Sequence, residues 1–543
     1  MTTINTSTFT TKTKELIDEL KAVCASYGLG NDGNEFKIIS QIFLYKFLND
    51  RFAYEIKKIK PELKDDDDWQ AVLAKIPEDD YELLQFQMSA STAFLKPHQL
   101  IDYLFERQNE PDFAKLLDDT LLDIAANNNE LFAVKTEDGQ KVQLFDRITE
   151  YVRSKRDGFA KALLNKLVIF NFENIMEEGF DFFSTIFEYL IKDYNSDAGG
   201  KYAEYYTPHA VSKIIANILV PEPVSNVTIY DPSAGSGTLL MNLAHAIGPD
   251  KCTVYSQDIS QKSSNLLRLN LVLNQLIHSI ENVIQGNTMT DPYHKQDEEL
   301  QKFNYIVSNP PFKLDFSDEV DILKKKENKT RFFAGIPNVP KKAKNKMAIY
   351  TLFLQHIIHS LKDDGKAAIV VPTGFITAQT GIDKKIREEI VEKKMLAGVV
   401  SMPSNIFATT GTNVSILFLD TLNKEDVVLI DASNLGETVK EGKNQRTVLT
   451  NDEEEHIIKT FTQKDAVEDF SVVVKYEDII AKNYSLSAGQ YFEIKIEYVD
   501  ITPDEFNSKI KDFESNLNIL FDRGIVLQKK IDHNFKMLKF DNE

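Results

Sequence analysis

Apolar residues recur at helical spacing through the first third of the chain. Within Glu35 to Lys58 (EFKIISQIFLYKFLNDRFAYEIKK) they return every three to four positions with no Gly or Pro, which predicts a long helix burying one face. Residues from about 10 to 165 read as a helical region on this pattern. The run Lys64-Asp65-Asp66-Asp67-Asp68 interrupts it and reads as a solvated loop or helix start rather than a cation site. Asn127-Asn128-Asn129 reads as a turn. A further helix is predicted near Phe172 to Tyr194, running into the polar linker Asn195 to Gly200.

Beyond that linker the pattern changes. Short β-rich runs alternate with helical stretches: VTIYD ending at Asp231, TVYSQD at Asp258, NVIQG at Gly286, YIVSNPPF at Phe312, KAAIVV at Val371, LAGVV at Val400 and SILFLD at Asp420. Alternation of this kind predicts the α/β class, with an open, mostly parallel sheet covered on both faces. Such sheets bind ligands just beyond the carboxyl ends of their strands, and the unusual residues of this chain stand at those ends. From Leu422 to Asp500 the pattern is one of mixed short strands and loops. Pro503 to Leu538 predicts a helix or helical hairpin, with Phe506, Ile510, Phe513, Leu517, Leu520, Phe521, Ile525, Leu527, Ile531 and Phe535 among its apolar positions. An amphipathic terminal helix docks on a partner or packs on its own chain, and both readings stay open here.

Composition adds limits. At 543 residues the chain is too long for a single core, and 42% hydrophobic with 27% charged residues is ordinary for a globular protein. No run approaches the roughly 18 apolar residues of a membrane helix, and no basic-then-apolar leader opens the sequence. Cys24 and Cys252 offer neither a disulfide framework nor a metal cluster, which leads to the expectation of a reducing cytoplasm. A net charge of −20 argues against a protein that grips nucleic acid with its whole surface. It leaves room for a local basic patch, or for a partner that supplies most of the affinity.

Three motifs carry chemistry. Asp231-Pro232-Ser233-Ala234-Gly235-Ser236-Gly237-Thr238 joins a strand to a helix, and its glycines allow close approach of backbone to ligand. The spacing is neither G-x-G-x-x-G nor a P-loop, so phosphate is not its natural ligand. Asp258, at the end of the next strand, suits the paired hydroxyls of a ribose, or alternatively caps the helix that follows. Ser308-Asn309-Pro310-Pro311-Phe312 is the sharpest signal. Its prolines fix φ and remove N–H donors. The Asn309 side-chain oxygen and the Pro310 carbonyl can both accept from one –NH₂ group, while Phe312 can stack on a planar ring. Holding both N–H bonds of an aromatic amine favours a pyramidal nitrogen that attacks an electrophilic methyl in line.

The order DPSAGSG, QD, SNPPF resembles the amino-methyltransferases that modify DNA, and more specifically the modification subunit of type I restriction–modification systems, which methylates adenine N6. The stretches LKDDGKAAIVVPTGF, SMPSNIFATTGTNVSILFLD and YSLSAGQYF follow the same family. The resemblance implies a Rossmann-like S-adenosylmethionine-dependent methyltransferase sheet over residues 166–480. It further implies an N-terminal helical domain over 1–165 and a C-terminal helical segment, 481–543, that docks on a specificity subunit. It also implies S-adenosylmethionine as cofactor. The segment Glu204-Tyr205-Tyr206-Thr207-Pro208-His209 would lie over the methionine end and Asp231 near the sulfonium or methionine amine. The turn Gly235, Ser236, Gly237, Thr238 would line the cofactor through its backbone, and Asp258 would hold the ribose. At Asn287 relatives often carry an acid that contacts the cofactor's adenine amine; Asn287 offers only an amide oxygen.

The catalytic residues on this reading are Asn309, Pro310, Pro311 and Phe312, acting on an adenine swung out of the duplex. No metal is called for, and His356 and His359, at i and i+3, lack further ligands. The implied partners are double-stranded DNA, a specificity subunit with two modification subunits per copy, and a restriction motor subunit. Lys324, Lys325, Lys326, Lys329, Arg331, Lys341, Lys342, Lys344 and Lys346 cluster after the catalytic motif, with Glu327 the lone acid among them. That cluster reads as a DNA-tracking loop or a solvated surface, and Phe332 and Phe333 as wedges or packing. A cytosine-N4 enzyme and a non-catalytic scaffold are the rival readings.

Overall fold

Val414–Asp420 is buried at every position but the last, and Asp426–Asp431 at its four central positions. Because side chains alternate between the faces of a strand, unbroken burial means that both faces are covered. The strands of this kind belong to an eleven-stranded sheet. In chain order they are β1 (Val134–Thr136), β2 (Lys141–Val142), β3 (Val227–Asp231), β4 (Cys252–Asp258), β5 (Val283–Gln285) and β6 (Phe303–Ser308). Then come β7 (Leu361–Pro372), β8 (Leu396–Ser401), β9 (Val414–Asp420), β10 (Asp426–Asp431) and β11 (Ser471–Lys475).

The structure, a computed structural model, describes residues 6–30, 33–64, 69–89, 92–173, 176, 189, 207–407, 413–441, 444–492 and 502–537. The spatial order of the strands is β11-β10-β8-β9-β7-β6-β3-β4-β5-β1-β2. From β7 to β1 every neighbouring pair is parallel. Antiparallel pairs occur only towards the two edges. The seven β-rich runs of the sequence all become strands of this sheet.

The principal helices are α1 (Thr6–Ser26), α2 (Gly33–Ile59), α3 (Phe113–Asn127), α4 (Arg156–Val168), α5 (His209–Leu219), α6 (Thr238–Ile247) and α7 (Gln261–Leu273). They are followed by α8 (Tyr350–His359), α9 (Gly381–Glu392), α10 (Asn451–Gln463) and α11 (Pro503–Met537). Apolar side chains of α1 to α4 and of the central strands belong to one continuous core. The region read as helical also contributes β1 and β2, which extend the sheet beyond β5. Strands of three and two residues are too short to show a period of two, so the sequence pattern did not reveal them. Arg268 of α7, buried, ties this hairpin down by donating to the carbonyls of Val142 and Gln143 at 2.9 and 3.0 Å. Burial lowers its pKa to about 10.

Residues Met1–Tyr491 form one compact unit and Phe492–Glu543 a second. In the second, Pro503–Met537 is a single helix rather than a hairpin, because Gly524 is its only weak point and no Pro follows Pro503. Phe506, Phe513, Leu520 and Phe521 on it are exposed. Among the described residues no helix is long and apolar enough to cross a membrane. Most of the helix expected near Phe172 to Tyr194, the linker Asn195 to Gly200 and Asp65 to Asp68 lie outside the described residues.

Candidate active site

From β3 the chain steps outward to β4 and β5, then returns to β6 on the other side of β3. The order reverses between β3 and β6, where Tyr230 pairs with Ile306. Loops leaving two such strands diverge and open a crevice. Here those loops are Pro232 to Gly237 and Asn309 to Phe312. A hydrogen bond joins them at the base, between Ser233 Oγ and Ser308 Oγ at 2.7 Å. Above it lies a cleft of about 860 Å³, lined by Thr207, Asp231, Ser236, Thr238, Asp258, Asn287, Asn309 and Pro311 among others.

Asp231 ends β3 at 1% exposure, and its Oδ1 accepts the Ser233 N–H at 2.9 Å. Burial pushes its pKa up to about 7, against the opposing pull of that N–H. A cation placed beside this carboxyl would favour its ionised form. Asp258 ends β4, and its two oxygens accept the N–H groups of Gly235 (2.9 Å) and Ser260 (2.8 Å). Burial raises its pKa too, and the same N–H groups work against that rise. Asp258 thus pins the Gly turn to the neighbouring strand end, and helix capping falls instead to the Ser260 hydroxyl, which accepts from Ser263 N at 3.2 Å. Gly237 caps α6 with φ +81°, and a Cβ there would run into the Leu267 side chain. Gly235 and Gly237 shape the turn, while Ser236 and Thr238 line the cleft.

Asn309 donates from Nδ2 to Thr207 Oγ1 at 3.2 Å, and in this orientation its amide oxygen remains available to accept. Pro310 is buried, Pro311 lines the cleft, and Phe312 is half-buried, edge-on to Tyr350 with ring centres 6.2 Å apart. Thr207 and Pro208 are buried ahead of α5, and His209 opens that helix with a buried Nδ1 that has no partner among the described residues. Glu204, Tyr205 and Tyr206 lie outside the described residues.

At Asn287 the side-chain oxygen accepts Met289 N at 3.1 Å and so closes its own turn. The Asn287 N–H donates to Glu137 Oε2 at 3.0 Å. Nothing in the sequence signalled Glu137, which stands 150 residues upstream in the stretch read as helical. The apolar wall of Ile259, Leu314, Phe316, Ile349 and Phe353 was also missed, because apolar residues brought together from separate loops and a helix carry no shared pattern. His356 is buried under the site, 3.2 Å from the Tyr230 hydroxyl.

The family model for N-6 DNA methylases matches residues 178–498, so the chain belongs to the N-6 DNA methylase family. The type I restriction enzyme MpnII methylase subunit of Mycoplasma pneumoniae is 27% identical, over 92% of this chain and 94% of the relative. The MjaIX methylase subunit of Methanocaldococcus jannaschii is 26% identical, over 93% of this chain and 88% of its own length. The crystal structure of a type I restriction–modification methyltransferase subunit from Streptococcus thermophilus shares the fold, with a TM-score of 0.71 at 23% identity, covering 89% of this chain and 99% of that one.

Proposed function

We propose that the chain methylates the N6 amine of adenine in DNA with S-adenosylmethionine, as the modification subunit of a type I restriction–modification assembly in the cytoplasm. The observation that carries this is the Asn309 amide, hydrogen-bonded to Thr207, sharing one cleft with Asp231, Ser236 and Thr238. When bound, the cofactor supplies an electrophilic methyl on a sulfonium. The residues fit it. Asp231, buried yet half inclined to stay protonated, is the counter-charge for a cationic sulfonium and ammonium. Ser236 and Thr238 line the floor, and Asp258 keeps lone pairs beyond its two N–H bonds for hydroxyls. With the Asn287 amide oxygen engaged in its own turn, Asn287 contributes shape more than a hydrogen bond.

The Asn309 oxygen and the Pro310 carbonyl accept the two N–H bonds of the target amine and turn its lone pair toward the methyl. Phe312 stacks on the swung-out base. Residues 166–480 form the catalytic part on this reading. The regions 1–165 and 481–543 are the clamping and docking parts, with the exposed apolar face of α11 meeting the specificity subunit and two such chains serving each copy. A restriction motor subunit joins the same assembly. Co-expression with the specificity protein encoded beside it, followed by mapping of modified bases and mass analysis of the nucleosides, tests the proposal. N6-methyladenine in the wild type and none with Asn309→Ala is the expected result; N4-methylcytosine, or no methylation by the wild type, refutes it.

A further inference from the structure

The segment between Leu314 and Phe353 begins and ends at the cleft and is built on a small core of its own. Leu314 and Phe316 at its start, and Ile349 and Phe353 at its end, line the cleft. Phe316, Leu323, Phe332 and Met347 pack together beneath it with Met289. Arg331, at 3% exposure, donates to the carbonyls of Thr288 and Met289, and its guanidinium lies 4.2 Å from the centre of the Phe332 ring. Gln355 holds Ala334 N–H at 2.7 Å and donates to Gly335 O at 3.0 Å. Phe332 is therefore packing, and Arg331 is spent on the frame rather than offered to solvent.

The lysines of the segment behave differently. Lys324, Lys325, Lys326 and Lys329 on one stretch, and Lys341, Lys342, Lys344 and Lys346 on another, are all exposed. None of them lies within ion-pair distance of an acid among the described residues. Some lysines elsewhere in this acidic chain do meet carboxylates, as Lys213 does with Glu454 at 2.8 Å and Lys475 with Asp426 at 2.6 Å, so what sets this segment apart is the density of its cations. Glu327 is the single acid between positions 324 and 346, while Asp315, Asp318, Glu319 and Asp321 stand ahead of the first lysine. Eight exposed lysines this close together, on a segment whose two ends line the cleft in a protein of net charge −20, suit an external polyanion.

We infer that this segment is a phosphate-backbone clamp, holding the duplex on either side of the adenine delivered to Asn309. The inference rests on the proposed reaction and names the surface that meets its substrate. Lysine ammonium groups contact phosphates without reading bases, so the clamp adds affinity and leaves sequence choice elsewhere. It also gives a strongly acidic chain a local means of approaching DNA.

The test uses the full chain assembled with its specificity partner and a labelled mixed-sequence duplex, with affinity measured across a salt series and S-adenosylmethionine binding measured by calorimetry. The variants are K324Q/K325Q/K326Q and K341Q/K342Q/K344Q/K346Q, with Arg at the same positions as charge-preserving controls. The Gln variants are expected to bind duplex about tenfold more weakly or worse, with the log–log salt slope shallower by about 0.9 for each lysine that had met a phosphate. The Arg variants are expected to keep the wild-type slope. Unchanged slopes in both Gln variants with normal cofactor binding overturn the clamp and leave the methyltransferase reading standing. A wild type that binds no cofactor overturns that reading, while the slopes still decide the clamp. Should a Gln variant fail to fold, acetylation footprinting of the wild type decides: DNA is expected to shield Lys324 to Lys346 relative to exposed Lys385 and Lys440, and equal reactivity with and without DNA refutes the inference.

Discussion

Thr207 Oγ1 accepts the Asn309 amide N–H at 3.2 Å, across 102 residues of sequence. A side-chain amide can face either way and a hydroxyl can pair with either end; in this structure the nitrogen end meets Thr207. Thr207 is buried, Asn309 is half-buried, and both line the cleft. Thr207→Val removes one hydrogen bond worth about 1 kcal/mol and is expected to lower methyl transfer about five- to tenfold, with Thr207→Ser restoring most of it. Asn309→Ala is expected to cost about a hundredfold or more. Single-turnover rates at saturating DNA check both, and cofactor titration should show Asn309→Ala binding as the wild type does.

The Asp231 carboxyl makes the site sensitive to pH. Burial holds its pKa near about 7, above the roughly 3.9 of an unfolded aspartate. Between those values the unfolded chain has released its proton and the folded chain has kept it, so the stability this group contributes falls as pH rises from about 4 to about 7. A cationic ligand favours the ionised form, so cofactor affinity should climb as pH rises through about 7. Calorimetry in buffers of different ionisation enthalpy should register proton release near pH 6.5. Asp231→Asn should bind weakly and show no such release.

Asp258 is both a lining residue and a brace. Asp258→Ala leaves the Gly235 and Ser260 N–H groups without their acceptor and should destabilise the protein by about 1–3 kcal/mol for the buried Gly235 donor, with less from the half-buried Ser260. Asp258→Asn keeps one acceptor and should fall between. Urea unfolding gives the stability, and the loss of cofactor affinity should exceed what unfolding alone explains.

At Gly237 the cost of a side chain has two sources. The φ of +81° strains any other residue, and the Leu267 side chain occupies the space a Cβ would need. Gly237→Ala should destabilise by roughly 1–3 kcal/mol. Leu267→Ala in the same chain should recover the steric part alone, giving a favourable coupling in a double-mutant cycle.

Truncation after Tyr491 removes α11 and leaves the compact unit Met1–Tyr491. The shortened chain should melt as the full chain does and bind cofactor equally well. It should no longer co-purify with the specificity protein, because the exposed Phe513, Leu520 and Phe521 side chains have gone with the helix.

Much of the site was legible because its residues close strands. Asp231, Asp258 and Ser308 each stand where an apolar run stops, and a parallel sheet gathers its strand ends at one edge. What could not be read depends on contacts between distant segments. The Thr207–Asn309 bond, the Glu137 carboxylate beside Asn287 and the burial of Arg331 have no local period or motif. The lysine cluster was visible as charge, whereas the small core that stiffens it, from Phe316 to Phe353, was not. Asn287 shows the opposite case: the residue was noticed, but its amide oxygen turned out to be committed to the next turn.

The short strand Val134–Thr136 runs alongside Val283–Gln285, so the first third of the chain finishes the sheet that the middle third begins. The two regions are therefore not free to be exchanged one without the other. A hybrid joining the front of one relative to the catalytic part of another must match at this seam, as well as at Arg268 and its carbonyls. Heredity should move these regions as a block, and hybrids crossed near position 165 should be poorly soluble, with an unpaired strand left at the border.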